Sequence, residues 1–481
     1  MKKLLFIASF LTALFAYSQA PDTANFRTGL IFNDEEYNMT PMQSKFAGSK
    51  FTELPLKVSL RQYCPNPGDQ GSIGSCVGWS TCYGALTTQY AMRNKWTDKS
   101  KITSQAFSAL FLYNLVKAND YTCGGGTYIP LAMGKLKTTG TCFDKQFIRN
   151  NCSILPHDTL KQVAKQYAIE DYMSLFSTID EAKVKIQKTK QSLAENKPVV
   201  VGVTLLDNFI TISKADPVWH PEKGLGWPAG GHAMCVIGYD DGKEQFEILN
   251  SWGEKWGENG YCYIKYSDYA KYCRYAFQMF LKPENAVNNK NEMGGAFTFQ
   301  YLKERSTLTF EPVTPKHLYM GYYTLEKKDW KVGDLFQLVA KNTKKDEYVY
   351  VFSIDAKKES HVHFPRSQAL SSDYEGFNET PLVPVSNAEI IIPSPESALS
   401  IGQTGSDYLV VLFSKTRIDN IKEIIEYCKT AERDPFYALK KSLGDRWPKY
   451  KDVNYESNKM SFTSAAGNNI VVPMILVVES K

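Results

Sequence analysis

Hydrophobic and polar positions change their period near Pro198. Before it, apolar residues recur at three- and four-residue spacing. Trp79, Cys82, Tyr83, Leu86 and Tyr90 predict one face of a helix beginning at Cys76, and Phe107, Leu110, Phe111 and Leu115 predict a second after Ser104. Further helical patterns run through Leu131 to Leu136, Leu160 to Tyr167, and from Thr178, whose Glu181 completes a capping-box pattern. After Pro198 the pattern is strand-like, over Val199 to Leu205, Ala233 to Tyr239, Phe246 to Leu249, Tyr261 to Lys265 and Phe277 to Phe280. A helical half followed by a β half predicts an α+β domain with a cleft between the halves.

The Asn-rich stretch from Pro283 to Gly295 reads as a linker, taken as residues 285–297. Beyond it, strands are expected at Leu335 to Ala340, Tyr348 to Ile354, Glu389 to Ile392, Tyr408 to Phe413 and Ile470 to Val478. A helical stretch from Ile418 to Lys441 is interrupted at Pro435. Residues 298–481 are therefore expected to form a mainly β second domain. Residues 21–50 are polar and lack helical periodicity, which predicts a linker or short pro-segment before a first domain at 51–284.

Residues 1–20 carry Lys2 and Lys3, then an apolar run from Leu4 to Ala16, then small residues: the pattern of a secretory leader. The run is short of the ~20 residues a bilayer span needs, so the expected product has no membrane span after leader removal and is periplasmic or extracellular. Ten cysteines are present, and an oxidising compartment predicts that some pair, although spacing cannot give the connectivity. Cys82 and Cys235 lie within apolar patterns and are expected to be buried. The net charge of +5 is diluted over 481 residues, which gives no footprint for nucleic acid.

Three segments hold the informative chemistry: Asp69 to Cys76, Gly230 to Met234, and Leu249 to Gly253. A cysteine nucleophile must become a thiolate, and a helix N-terminus or a neighbouring imidazolium lowers its pKa. Cys76 opens a helix, and His232 is the candidate base and general acid. Asn250 can accept the second imidazole N–H, and Trp252 can cover that bond. Gln70, across a turn made by Gly71 and Gly74, can return its amide beside the Cys76 backbone N–H, so that two donors face a developing oxyanion.

In this order and context the residues resemble the papain-like cysteine peptidases, over roughly Leu54 to Lys282. The resemblance implies a two-lobed fold, a peptide or protein substrate, an acyl-enzyme on Cys76, and no cofactor or metal. It implies that Cys76 is the nucleophile, His232 its base and acid, Asn250 the orienter and Gln70 the oxyanion donor. It further implies that Gly125 and Gly126 form the backbone edge that pairs with an extended substrate. Departures accompany it. Ile73 and Val77 stand where the family has a cysteine and an aromatic, Cys123 loses its customary partner, and the pro-segment is much shorter than the family's large inhibitory one. Trp79 is the expected replacement for the lost aromatic bulk. The second domain resembles, less specifically, an uncharacterised β-rich domain attached to bacterial exported peptidases. His361 and His363 alternate on an expected strand there, a spacing that metal ligands can have, and read as ordinary histidines in preference to ligands; Trp219, His220 and Trp227 precede His232 on a loop and read as cleft lining or packing. Two competing readings use the same residues: an inactive scaffold that binds a partner through the second domain, and an amidase or acyl transferase with the same nucleophile.

Overall fold

The computed structural model describes residues 26–44, 47–48, 54–118, 123–147, 151–283, 292–430, 434–465, 467 and 469–481. The expected leader lies outside these residues. The first part of the chain is helical and then β, as the change of period predicts. Its central rod runs without a break from Cys76 to Arg93, with wider π-type turns over Trp79–Leu86 between α-helical Cys76–Gly78 and Thr87–Arg93. Gly78 lets this rod cross helix Ala109–Val116, because a Cβ there would lie 2.3 Å from the Ala109 carbonyl oxygen.

Two helix starts differ from the expected ones, for local reasons. The second helix begins at Ala109, not after Ser104, because the Ser108 hydroxyl accepts the Phe111 amide proton and caps it. The helix expected from Thr178 is Ala182–Ala194. Ser177 N–H donates to the Asp180 carboxylate instead, so this stretch closes a turn before the helix opens.

The β half forms a sheet in the order Ile169–Ser174, Cys273–Leu281, Val199–Leu206, Pro228–Asp240, Gln245–Leu249, Tyr261–Lys265, with Lys57–Ser59 also paired to Pro228–Asp240. Strand Val199–Leu206 is almost wholly buried because both faces are covered, which explains its unbroken apolar run.

The second part is a sandwich of two sheets. One runs Ala47–Gly48, Glu389–Ile392, Leu335–Asn342, Met293–Glu304, Ser461–Ser464, Val453–Tyr455; the other runs Pro315–Tyr319, Tyr322–Leu325, Val471–Ser480, Gly405–Ser414, Glu347–Ile354, Ser360–Phe364. Phe299, Leu338, Val349, Val351, Phe413 and Met474 fill the space between them. On Glu347–Ile354 the alternate residues Tyr348, Tyr350 and Phe352 belong to the other core, with Ile421, Ile424 and Phe436 of helices Ile421–Thr430 and Pro435–Leu443. That core is continuous with the first domain, and Asp171 joins the two. Strand Met293–Glu304 begins inside the stretch expected to be a linker. Gly295 belongs to it because a Cβ there would lie 2.5 Å from the Phe413 ring on the facing sheet.

Candidate active site

Cys76 is the first residue of the central rod and His232 lies on strand Pro228–Asp240, so helix packing on the sheet brings the two segments together. The Ala233 amide donates to the Cys76 sulfur at 3.4 Å, which fixes the thiol beside the residue that follows His232. His232 Nε2 lies 2.8 Å from Asn250 Oδ1, and the imidazole stacks under Trp252 with ring centroids 4.7 Å apart. An amide oxygen only accepts, so Nε2 carries the proton and Nδ1 keeps its lone pair. Among the described residues, Nδ1 is buried with no hydrogen-bond partner.

Gln70 is held from three sides. Its backbone amide donates to the Ser251 carbonyl at 2.9 Å, the Ser251 hydroxyl donates to Gln70 Oε1 at 2.6 Å, and Gln70 Nε2 donates to the Ile73 carbonyl at 2.8 Å. Gly71 makes the turn with φ +56°, a left-handed conformation that glycine adopts at little cost. The side-chain amide therefore cannot rotate freely. Ser251 was legible only as part of Asn-Ser-Trp-Gly; its orienting contact needed the fold.

The glycine edge is also built as a unit. Gly74 N–H donates to the Cys123 carbonyl at 2.9 Å, and the Tyr113 hydroxyl donates to the Gly125 carbonyl. Cys123 pairs with Cys152, and the other eight cysteines are free and buried. The lost partner of Cys123 is thus replaced by Cys152, whereas wide pairing among the ten does not occur. Trp79 packs on Tyr83 at 4.7 Å and against Gly68, which places its bulk beside the rod's start. Trp219 is buried against Phe209 and Tyr272 and is a packing residue, whereas Trp227 is 68% exposed. His363 Nε2 lies 2.8 Å from Ser353 Oγ.

The groove is occupied by the chain itself. Gln70 Nε2 and Trp252 Nε1 both donate to the Arg27 carbonyl, at 2.9 and 3.2 Å. On one wall the segment pairs with the backbone of Thr127, next to Gly126, and on the other with Gly231. Cys76 and His232 are consequently 0% exposed. Burial pushes the Cys76 thiol up to about 11 against the pull of nearby backbone N–H groups, and holds His232 down to about 4 against the Asn250 bond. In this state the pair is neutral thiol and neutral imidazole.

A pH dependence follows. An unfolded histidine takes its proton near pH 6.5, but folded His232 resists until about pH 4. Between these values the unfolded chain binds more protons, so stability present above pH 6.5 falls on acidification, by up to about 3 kcal/mol. Urea unfolding at pH 7 and pH 4 should show a smaller loss in His232→Gln than in the wild type, the remainder coming from buried His363, which is also held down to about 4.

Comparison with known proteins bears on the same segment. Residues 54–281 match the family model described as papain family cysteine protease. An uncharacterized peptidase C1-like protein of Acanthamoeba polyphaga mimivirus is 29% identical over 210 residues, covering 41% of this chain and 63% of that protein. Cathepsin B-like CP2 of Giardia intestinalis is 25% identical over 223 residues, covering 44% and 68%, and falcipain-3 of Plasmodium falciparum is 26% identical over 227 residues, covering 43% and 40%. Xylellain, a cysteine protease from Xylella fastidiosa of known structure, has a TM-score of 0.43 at 23% identity, over 53% of this chain and 96% of that one. The family model covers residues 54–281, just under half of the chain, the chain spans less than two thirds of the mimivirus relative it matches, and a β-rich region follows the matched segment. Among the described residues no helix is long and apolar enough to cross a membrane.

Proposed function

We propose that this chain is an exported cysteine peptidase that hydrolyses peptide bonds through an acyl-enzyme on Cys76. The observation that carries the reading is the placement of a helix-opening thiol beside the strand of His232, with that imidazole oriented by Asn250. His232 Nδ1, with its lone pair free, takes the thiol proton as the sulfur attacks a substrate carbonyl carbon, forming the C–S bond. The oxygen becomes an oxyanion that the Gln70 amide and the Cys76 backbone N–H receive. His232 then gives the proton to the departing amine as the C–N bond breaks, and water resolves the thioester by the reverse proton path. Trp252, lying on His232, keeps water from the Asn250 bond. The basic-then-apolar start of the chain and the Cys123–Cys152 disulfide support export.

Incubation of the Leu30→Asp variant, whose carboxylate is disfavoured in the apolar site that Leu30 fills in the groove, with an unbiased peptide library tests the reading. New termini should appear, with product masses that sum to the substrate plus one water. Products extended by a free amine would identify acyl transfer, and unchanged peptides would identify a binding scaffold.

A further inference from the structure

We infer that Asp355, Glu359 and His361 of the second domain are ligands of a divalent transition-metal ion of the zinc class, held at one end of the β-sandwich. The inference departs from the expectation of an ordinary His361 and no metal. It stands apart from the cleft and from whether Cys76 cleaves peptides.

Strand pairing assembles the site. On Glu347–Ile354 the residues that face the other sheet are apolar at Val349 and Val351, then polar at Ser353, and Asp355 follows on the same side. Ile354 pairs with Ser360 and Ser353 with His361, which sets Glu359 opposite Asp355 and His361 next to it. On the other flank Ile354 pairs with Tyr408, so Asp407 is the next position along, beside Asp355. Glu359, Asp355 and Asp407 thus form one row of carboxylates across three strands. Like charges in directly opposed positions weaken strand pairing, and a cation among them removes that cost.

The turn between the strands prepares the ligands. The Lys357 and Glu359 amides donate to Asp355 Oδ1 at 2.9 and 2.8 Å, leaving Oδ2 on the side of His361 Nε2, 3.9 Å away. That separation is too long for a hydrogen bond. One donor atom each from Asp355, Glu359 and His361 all lie within 4.8 Å of one another. Ligand atoms bound at about 2.0 to 2.2 Å lie up to about 4.4 Å apart, so a small closure of side chains brings the three onto one ion. An imidazole nitrogen with two carboxylate oxygens suits Zn²⁺ and its transition-metal neighbours, whereas Ca²⁺ takes oxygens alone. The His361 side chain is 49% exposed, so an ion enters from solvent and keeps waters on its open positions.

A second observation, on a different strand and loop, points to a polar guest. The three residues line a cavity of about 610 Å³ that Phe336 and Leu399 of the facing sheet also line. Asp407 and Gln403 border the same cavity, and among the described residues Asp407 Oδ1 and Gln403 Nε2 are buried with no hydrogen-bond partner. An acceptor and a donor orphaned in one cavity call for a partner. Waters around a bound ion supply it, Asp407 holding the ion through water and not as a ligand. Lys357 is there as well, one positive charge against the carboxylates of Asp355, Glu359, Asp373 and Asp407.

Equilibrium dialysis of the full chain against buffered Zn²⁺ tests this, with the double variant Glu359→Gln, His361→Ala as the comparison. Asp355 is kept because it closes the turn, and equal urea midpoints of the metal-free proteins show that both are folded. Wild type should hold one equivalent of Zn²⁺ more than the double variant, and excess Ca²⁺ should not displace it. Asp407→Asn should weaken that equivalent by about ten-fold, the effect of losing an outer partner. With Co²⁺ in place of Zn²⁺, the wild-type-minus-variant spectrum should show nitrogen and oxygen ligation without a thiolate charge-transfer band. Equal zinc content in the two folded proteins overturns the site. So does a thiolate band in the difference spectrum, which would place the ion on cysteine.

Discussion

Cys76→Ala is expected to lower kcat/KM for peptide hydrolysis by at least about 10⁴-fold, since the atom that would carry the acyl group is gone and only the oxyanion donors and binding remain. The measurement belongs in the Leu30→Asp background, where a carboxylate at that apolar site is expected to free the groove in both proteins. Folding should survive. The substitution removes one acceptor and leaves the Ala233 amide unpaired, a loss of about 1 to 3 kcal/mol. Cys235→Ala is the matched comparison: it lies on the same strand as His232, is equally buried, and packs near Gly84 of the rod. Its thiol is pushed up by burial, and its loss should leave turnover within about two-fold while costing a small cavity. If Cys76→Ala retained hydrolysis, the nucleophile would have to be sought elsewhere.

The second large effect concerns the joint between the domains. Asp171 is 3% exposed and receives Lys137 at 2.9 Å, Arg417 at 3.0 Å and the Tyr348 hydroxyl at 3.1 Å. Arg417 and Tyr348 belong to the second domain and Lys137 to the first, so one carboxylate neutralises cations from both. Asp171→Ala leaves two cations facing each other over a buried hydroxyl, and removing one partner of a buried pair costs about 3 to 5 kcal/mol. Arg417 is 28% exposed and water recovers part of this, so about 3 kcal/mol is the expected loss in urea unfolding. Asp171→Asn should lose less, because it keeps acceptors. The variant should also separate the unfolding of the two domains, visible as non-coincident transitions with different probes. A change below about 1 kcal/mol would mean that desolvation of the carboxylate already cancels its attractions.

Residues whose chemistry is local were readable. Gln70, Cys76, His232, Asn250 and Trp252 stand out in three short segments of the sequence, and the fold brings those segments together. Strand and helix existence followed from period; the capping serine did not, because Ser104 and Ser108 carry the same hydroxyl and only the packing of Phe107 and Phe111 selects one. Gly294 and Gly295 read as linker by composition, yet they sit in a strand because neighbouring side chains leave no room for a Cβ.

From its order of residues alone, this chain specified an α+β first part, a β-rich second, and the side chains that gather at one groove. It did not disclose that residues 26–44 fill that groove, that Cys123 meets Cys152, or that Asp171 ties the domains. Those facts depend on which distant backbones approach within hydrogen-bonding reach, and a main-chain pairing leaves almost no mark on side-chain pattern. The tertiary structure decided them by closing space around glycines and by excluding water from the sulfur and the imidazole.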